Sequence, residues 1–232
     1  MYLKKLNYQI DASKLIPYLA DIDWDNRDRC SINESIGDLL YGPYRVKDEW
    51  KGTEFEKLLN EFPFPIGEAR LMRLSPGEVY RSHADIDDRY HLNLLTNEHC
   101  YLIDLNNKEM HQLYRDNELY LMDGSYLHTA VNFGSSYRVQ LVIRVPLEKY
   151  EPENSQRIDI FFLNPPYNLR YVVDQEISPC LNKYVKTNKL GFFKEVTPLH
   201  YTMLINKEAL AFICSKLNHL NIEYSIKELE ND

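Results

Sequence analysis

His83 and Asp85, separated by one residue, are followed by His128 and then, ten residues later, by Arg138. Two imidazoles and one carboxylate can fill one face of an Fe(II) coordination sphere and leave the opposite face open to reactants. A guanidinium shortly after the second histidine is suited to hold a dicarboxylate through a bidentate ion pair. On a strand, side chains at i and i+2 point the same way, so His83 and Asp85 can reach one ion. His128 must then come from a different strand, which a folded-back barrel supplies. Taken singly, each residue has a plainer reading. An HxD pair is commonly a surface feature, His128 a hydrogen-bonded core or loop histidine, and Arg138 a solvated strand residue. Their order within one β segment is what singles them out.

The elements that must position these residues can be read from periodicity. Strand-like runs separated by turn residues fill Ala69–Val145: Ala69–Leu74, Glu78–Ser82, Tyr90–Thr96, Cys100–Leu105, Glu109–Tyr114, Glu118–Met122, Leu127–Asn132 and Tyr137–Val145. In the last, Arg138, Gln140 and Val142 alternate with Val139, Leu141 and Ile143, which separates a mainly polar face from an apolar one. This many short strands without intervening helices predict an antiparallel sandwich or jelly roll. Upstream, the pattern predicts a strand at Tyr2–Ile10, a helix over Ser13–Ile22, a long loop over residues 25–48 and a helix over Asp48–Phe62. Downstream, Glu148–Gln156 is polar and contains proline, which marks a boundary. Beyond it, strands at Ile158–Leu163, Leu190–Val196, His200–Ile205 and Ile222–Ile226, with an amphipathic helix at Lys207–Leu217, make a small α+β appendix. The expected organisation is therefore a mainly β domain over residues 1–149, with N-terminal helices, and an appendix over residues 150–232.

Composition bounds the function. The chain has 232 residues with 44% hydrophobic content, enough for a packed core. A net charge of −8 and a pI near 5.4 argue against nucleic-acid and anionic-membrane partners. Cys30, Cys100, Cys180 and Cys214 form no CxxC pair, which favours a reducing compartment. Without an apolar leader or a membrane-length apolar segment, the expectation is a soluble, cytoplasmic protein. His99, His111, His200 and His219 lack a spaced partner and read as surface or core residues. The run Lys183–Lys189 reads as a solvated loop and Asn164–Tyr167 as a turn.

Five motifs together resemble the aspartyl/asparaginyl β-hydroxylase family of Fe(II)/2-oxoglutarate oxygenases, which includes bacterial proline hydroxylases. They are Arg73-Leu-Ser-Pro-Gly77, Ser82-His-Ala-Asp85, Arg89-Tyr-His91, Gly124-Ser-Tyr-Leu-His128-Thr-Ala-Val-Asn132 and Ser135-Ser-Tyr-Arg138. The resemblance implies a double-stranded β-helix (jelly-roll, cupin-like) core with His83, Asp85 and His128 as iron ligands. It also implies that Arg138 binds the distal carboxylate of 2-oxoglutarate, with Arg89 and His91 lining the co-substrate pocket. The implied reaction consumes O2 and 2-oxoglutarate and releases succinate and CO2, with ascorbate as a supporting reductant. Animal members that modify growth-factor-like domains have glycine where Asp85 stands, so the carboxylate places this chain nearer the amino-acid hydroxylases and away from halogenases. Met72 departs from the pattern, since some members carry a small hydroxyl residue there.

An amino-acid substrate needs a cation for its carboxylate, and Arg73, Arg81 and, in the early loop, Arg45 are near the site in sequence. Tyr80 and Tyr126 flank the ligand histidines and are the expected pocket walls. The expected activity is hydroxylation of a C–H bond in a free amino acid or small derivative. Two alternatives stay open: a peptidyl (Asp, Asn or Pro) hydroxylase acting on a protein, and a metal-binding cupin that consumes no oxygen. The appendix is free to close over the site or to form a homodimer interface.

Overall fold

A computed structural model describes residues 3–25, 27–38, 41–147, 152–186, 190–197 and 199–229. The chain divides into two compact units, residues 1–82 with 87–147, and residues 148–232 with the short 83–86 segment. The boundary expected between residues 149 and 150 falls outside the described residues, as does the end of the Lys183–Lys189 run. Secondary structure is mainly β, arranged as several antiparallel sheets.

In chain order the first unit contains β1 (Leu3–Gln9), β2 (Arg29–Ser31), β3 (Asn33–Asp38), β4 (Gly42–Val46), α1 (Glu54–Glu61) and β5 (Ala69–Leu74). It continues with β6 (Arg89–Leu95), β7 (Cys100–Asp104), β8 (Glu109–Gln112), β9 (Glu118–Met122), β10 (His128–Asn132) and β11 (Arg138–Arg144). Six strands form one sheet in the order β1-β9-β6-β11-β5-β2, and β10-β7-β8 form another. An isolated bridge from Val79 to Val131 adds a further contact at the edge of β10. The Glu78–Ser82 run expected as a strand is reduced to such bridging, because the Ser75–Gly77 turn and the following segment leave little regular pairing.

The central strands β6 and β11 are buried on both faces. Their outward residues Tyr90, Leu92, Leu94, Val139, Leu141 and Ile143 join one core with Ala12, Leu15, Leu19, Trp50, Phe55 and Leu59 from the N-terminal segments. Each valine, leucine, isoleucine and phenylalanine among them contributes roughly 1.5–3 kcal/mol by leaving water. The inward side is mixed. Leu74, Leu102, Leu113, Met122 and Ala130 from the two sheets pack together with Tyr80, Tyr120 and Tyr126 at their edge.

Three N-terminal expectations are revised. The helix expected over Ser13–Ile22 is two 3-10 segments, Ala12–Lys14 and Ile16–Asp21, with Pro17 near the start of the second. The loop expected over residues 25–48 contains β2 and the β3–β4 hairpin, whose polar composition hides a pairing register of Asn33↔Val46 and Ser35↔Tyr44. The helix expected over Asp48–Phe62 is broken at Gly52, whose φ of +73° ends the 3-10 turn Asp48–Trp50. Thr53 then caps α1 by accepting from the Glu56 backbone N–H, while the Glu56 carboxylate accepts from the Gly52 N–H at 2.6 Å.

The second unit contains β12 (Ser155–Asn164), α2 (Leu169–Val172), α3 (Ser178–Lys186), β13 (Leu190–Thr197), β14 (His200–Asn206), α4 (Lys207–His219) and β15 (Glu223–Leu229). Its antiparallel sheet runs β13-β14-β12-β15. Ile158, Ile160, Met203 and Ile205 face Ile213 and Leu217 of α4, whose N-terminus is capped by the Asn206 side chain accepting from the Ala209 N–H at 2.8 Å. A π-helical turn, Val173–Ile177, links α2 to α3, so residues 169–186 form a helical stretch; the sequence pattern left most of it unassigned and read its end, from Lys183, as a solvated loop, which the last turn of α3 replaces. Among the described residues, no helix is long and apolar enough to cross a membrane.

Leu141 is 1% exposed at the centre of β11. Leu141→Ala is expected to lower unfolding free energy by about 2–5 kcal/mol, measured by chemical denaturation. A loss of a few tenths would mean that β11 is not a core strand.

Candidate metal centre

His128 opens β10, opposite Asp104 of β7, and is 4% exposed. Its Nδ1 lies 2.8 Å from the carbonyl oxygen of Tyr126. A carbonyl can only accept, so Nδ1 carries the hydrogen and Nε2 is left as the ligating atom. His83 and Asp85 lie on the short segment between the Val79 bridge and β6, tethered on either side to Ser82 and Asp87 of the first unit. The Nε2 of His83 stands 3.5 Å from Oδ2 of Asp85. One ligand atom from each of His83, Asp85 and His128 lies within 4.8 Å of the other two. Two imidazole nitrogens and a carboxylate oxygen at this separation match the donor set of a facial Fe(II) site, with the remaining positions open. The three candidate ligands differ in setting: the His83 side chain is 34% exposed and that of Asp85 13%, whereas His128 is enclosed.

Arg138 is 2% exposed and begins β11. The register of β11 with β5 and β6 pairs Arg138 with Leu74, Gln140 with Met72 and with Asn93, and Val142 with His91. These residues share the inward face, so Arg138, Gln140, Asn93, His91 and Arg89 form a polar strip across an otherwise apolar space. The pairing shifts between Val139 and Gln140, a β-bulge of the kind that re-aims side chains beside functional sites. Gln140 Nε2 donates to Oδ1 of Asn93, whose Nδ2 donates to the Tyr114 carbonyl at 3.1 Å. Met72 is thereby paired with an amide that already has its own partner.

His91 is 5% exposed, and burial pushes its pKa down to about 3, helped by the neighbouring Arg138 and Arg89 guanidiniums and by His128, while hydrogen bonding to Gln140 works the other way. The ring is therefore neutral at ordinary pH and can donate or accept without adding charge. Tyr80 and Tyr126 both border the inner cluster, and burial raises the Tyr80 pKa against the pull of nearby Arg138.

Arg73 and Arg81 are not brought to this strip. Arg73 pairs with Val139 and so faces the outer core. Its guanidinium is stacked on Trp24 and Tyr137, at 5.5 and 4.9 Å from the ring centroids, and donates to the Trp24 carbonyl at 2.5 Å. Arg81 is exposed on the segment before His83. Arg45 is ion-paired with Glu34 at 2.8 Å within the β3–β4 hairpin.

Sequence reading overlooked a second group of charges on the inward face: Glu68, Arg70, Asp87 and Arg144, which join Arg89. Asp87 is 1% exposed and lies 3.1 Å from Arg144 Nε and 3.5 Å from Arg89 Nε. Glu68 lies 3.2 Å from Arg70 and 4.0 Å from Arg144. Burial, then the Arg89 charge, lowers the Arg70 pKa to about 10 against the opposing pull of Glu68. Strand parity placed Arg144 on the Arg138 face, but nothing local signals its carboxylate partners.

Residues 52–146 match the family model described as aspartyl/asparaginyl beta-hydroxylase. No curated protein matches the chain. A solved structure, CapF with the inhibitor 3-isopropenyl-tropolone, aligns over 36% of this chain and 26% of that chain, at 14% identity and a TM-score of 0.30. That likeness carries no argument.

The His91 shift has a sign that can be tested on metal-free protein. Its folded pKa, about 3, lies below its ordinary value of 6.5, so the unfolded chain binds a proton that the folded chain does not. The stability is full above about pH 6.5 and falls with pH toward 3, by up to ~1.4 kcal/mol per pH unit. Denaturation at pH 7 and pH 5 should show a larger loss for the wild type than for His91→Gln. Equal losses in the two proteins would remove His91 as the source.

Proposed function

We propose, with the match of residues 52–146 to aspartyl/asparaginyl beta-hydroxylases as the premise, that this chain is an Fe(II)- and 2-oxoglutarate-dependent dioxygenase. The observation that carries the reading is the convergence of His83, Asp85 and His128 ligand atoms within 4.8 Å, together with a guanidinium at Arg138 that is 2% exposed. The strand pairing supports a double-stranded β-helix reading of the first unit. Counting from β5, with the Val79 bridge as second strand, first pairs with eighth, second with seventh, third with sixth and fourth with fifth. The hairpin pairs alternate between the two sheets.

His83, Asp85 and His128 would hold the iron, and Arg138, with Arg89 and neutral His91 beside it, would receive the co-substrate. When bound, iron and 2-oxoglutarate supply the oxidising power: O2 is consumed, succinate and CO2 are released, and a substrate C–H bond gains a hydroxyl group. The protein's own work is positional. His128 is oriented through Nδ1 by the Tyr126 carbonyl. Arg138 would offer a fixed, buried charge beside Leu74 and near Tyr80, where an ion pair is strengthened. His91 contributes hydrogen-bonding capacity without a second competing charge.

The substrate we favour is a free amino acid or small amino-acid derivative, because Asp85 completes a three-ligand set. A peptidyl Asp, Asn or Pro residue is served by the same chemistry and is favoured equally by the family match. A reducing, cytoplasmic setting would keep Fe(II) available, and ascorbate would support turnover.

The test is succinate release by the purified chain with Fe(II), ascorbate, O2 and 2-oxoglutarate, screened against pooled amino acids and short peptides. Succinate that rises with one pool and vanishes in His128→Ala is the expected result. Arg138→Gln should raise the half-saturating 2-oxoglutarate concentration by about tenfold or more, as expected when one member of a buried charge pair is lost. Binding of iron and 2-oxoglutarate without oxygen consumption in any pool would favour the non-oxygenase cupin. Failure to bind either would overturn the proposal.

A further inference from the structure

The segment carrying His83 and Asp85 is held firmly where it enters and leaves the first unit. At its entry, the Tyr80 N–H donates to the Ala130 carbonyl at 2.9 Å, and Thr129 Oγ1 donates to the Tyr80 carbonyl at 2.5 Å. Both partners lie within two residues of the ligand His128. At its exit stand two adjacent carboxylates. Asp88 accepts from the Gly124 N–H at 3.3 Å, on the turn that leads to His128, and its carbonyl accepts from the Val145 N–H at 2.8 Å. Asp87, 1% exposed, sits between Arg144 and Arg89.

The charges run in an alternating line, Arg89, Asp87, Arg144, Glu68 and Arg70, across β6, β11 and β5. Arg144 is its middle member and touches both carboxylates, at 3.1 Å and 4.0 Å. None of these five residues is among the three candidate ligands. A carboxylate buried this deeply stays charged only beside cations, so Asp87 has little freedom to leave. Asp85 is two residues away along the chain. The position of Asp87 therefore limits where Asp85 can go.

We propose that Asp87 and Arg144 are positioning residues for the metal centre, fixing the exit of the ligand-bearing segment so that Asp85 is presented beside His128. This rests on the metal-centre reading above. The ordering of the segment is met in the folded chain rather than at the moment of binding, which raises affinity without adding a ligand. Arg144 is the informative site for substitution. Its removal leaves Asp87 paired with Arg89, and Glu68 paired with Arg70, so each carboxylate keeps one partner.

The experiment titrates the full chain with Co(II), read by its visible absorption, alongside amide hydrogen exchange over residues 83–88. Arg144→Gln should weaken Co(II) binding by about tenfold, at the low end of what loss of a supporting partner costs a metal site. Exchange over 83–88 should quicken, while β7 and β8 stay unchanged. Arg144→Lys, which keeps the charge, should restore most of the affinity. Glu68→Gln, which removes the second carboxylate that holds Arg144 in line between β5 and Asp87, is the milder variant and should shift both readouts in the same direction. Wild-type affinity and exchange in Arg144→Gln, or in Glu68→Gln where the former does not fold, overturns the proposal. No Co(II) binding by the wild type, or undiminished binding by His83→Ala, is instead a failure of the metal-centre reading.

Discussion

The antiparallel pairing of β6 with β11 is the constraint on which the rest of the first unit depends. Both strands are covered on both faces, so neither can leave a polar side chain to water. The outward face meets this by being apolar throughout. The inward face carries Arg89, His91, Asn93, Arg138, Gln140 and Arg144, and each needs an internal answer. Gln140 and Asn93 answer one another, and Arg89 and Arg144 share Asp87. His91 answers by giving up its charge, with a pKa pushed down to about 3. Arg138, which stays charged at ordinary pH, is buried on the same face at the start of β11.

The same pairing explains which residues could be read from sequence. Parity along a strand is local, so the alternation Arg138, Gln140, Val142 was visible in the chain alone. His83 and Asp85, expected to share a strand face, lie instead on an irregular segment between β5 and β6. Parity between strands is not local. In sequence Arg73 looks available to a substrate carboxylate, yet Arg138 pairs with Leu74, and Arg73 is thereby sent to the outer face between Trp24 and Tyr137. The Glu68–Arg144–Asp87 contacts depend on the registers of β5, β6 and β11 together. No spacing rule could have predicted them.

Outside the site, the misread elements share a cause. Asn33–Asp38 and Gly42–Val46 pair as a hairpin through backbone hydrogen bonds, but the first strand, Asn-Glu-Ser-Ile-Gly-Asp, is polar on both faces apart from Ile36, so the period-2 signal is weak. Residues 169–186 change helix type at Val173–Ile177, and the extra residue in that turn breaks the 3.6-residue period. Strong periodicity predicted well where one face is purely apolar, as in β11 or α4. Mixed faces defeated it, and mixed faces are where the chemistry lies.

The overall charge of the chain and the local charge of this face have opposite signs. A net charge of −8 spread over the surface repels small anions at long range, but salt screens that repulsion within about 10 Å. Inside, Arg70, Arg89, Arg138 and Arg144 outnumber Glu68 and Asp87, to which three of them are paired, on the inward side of a single sheet. A dicarboxylate would therefore meet weak repulsion at the surface and strong attraction within. Arg138, deep at the start of β11, and the ligands of the 83–128 cluster would then bind the two ends of one small acid.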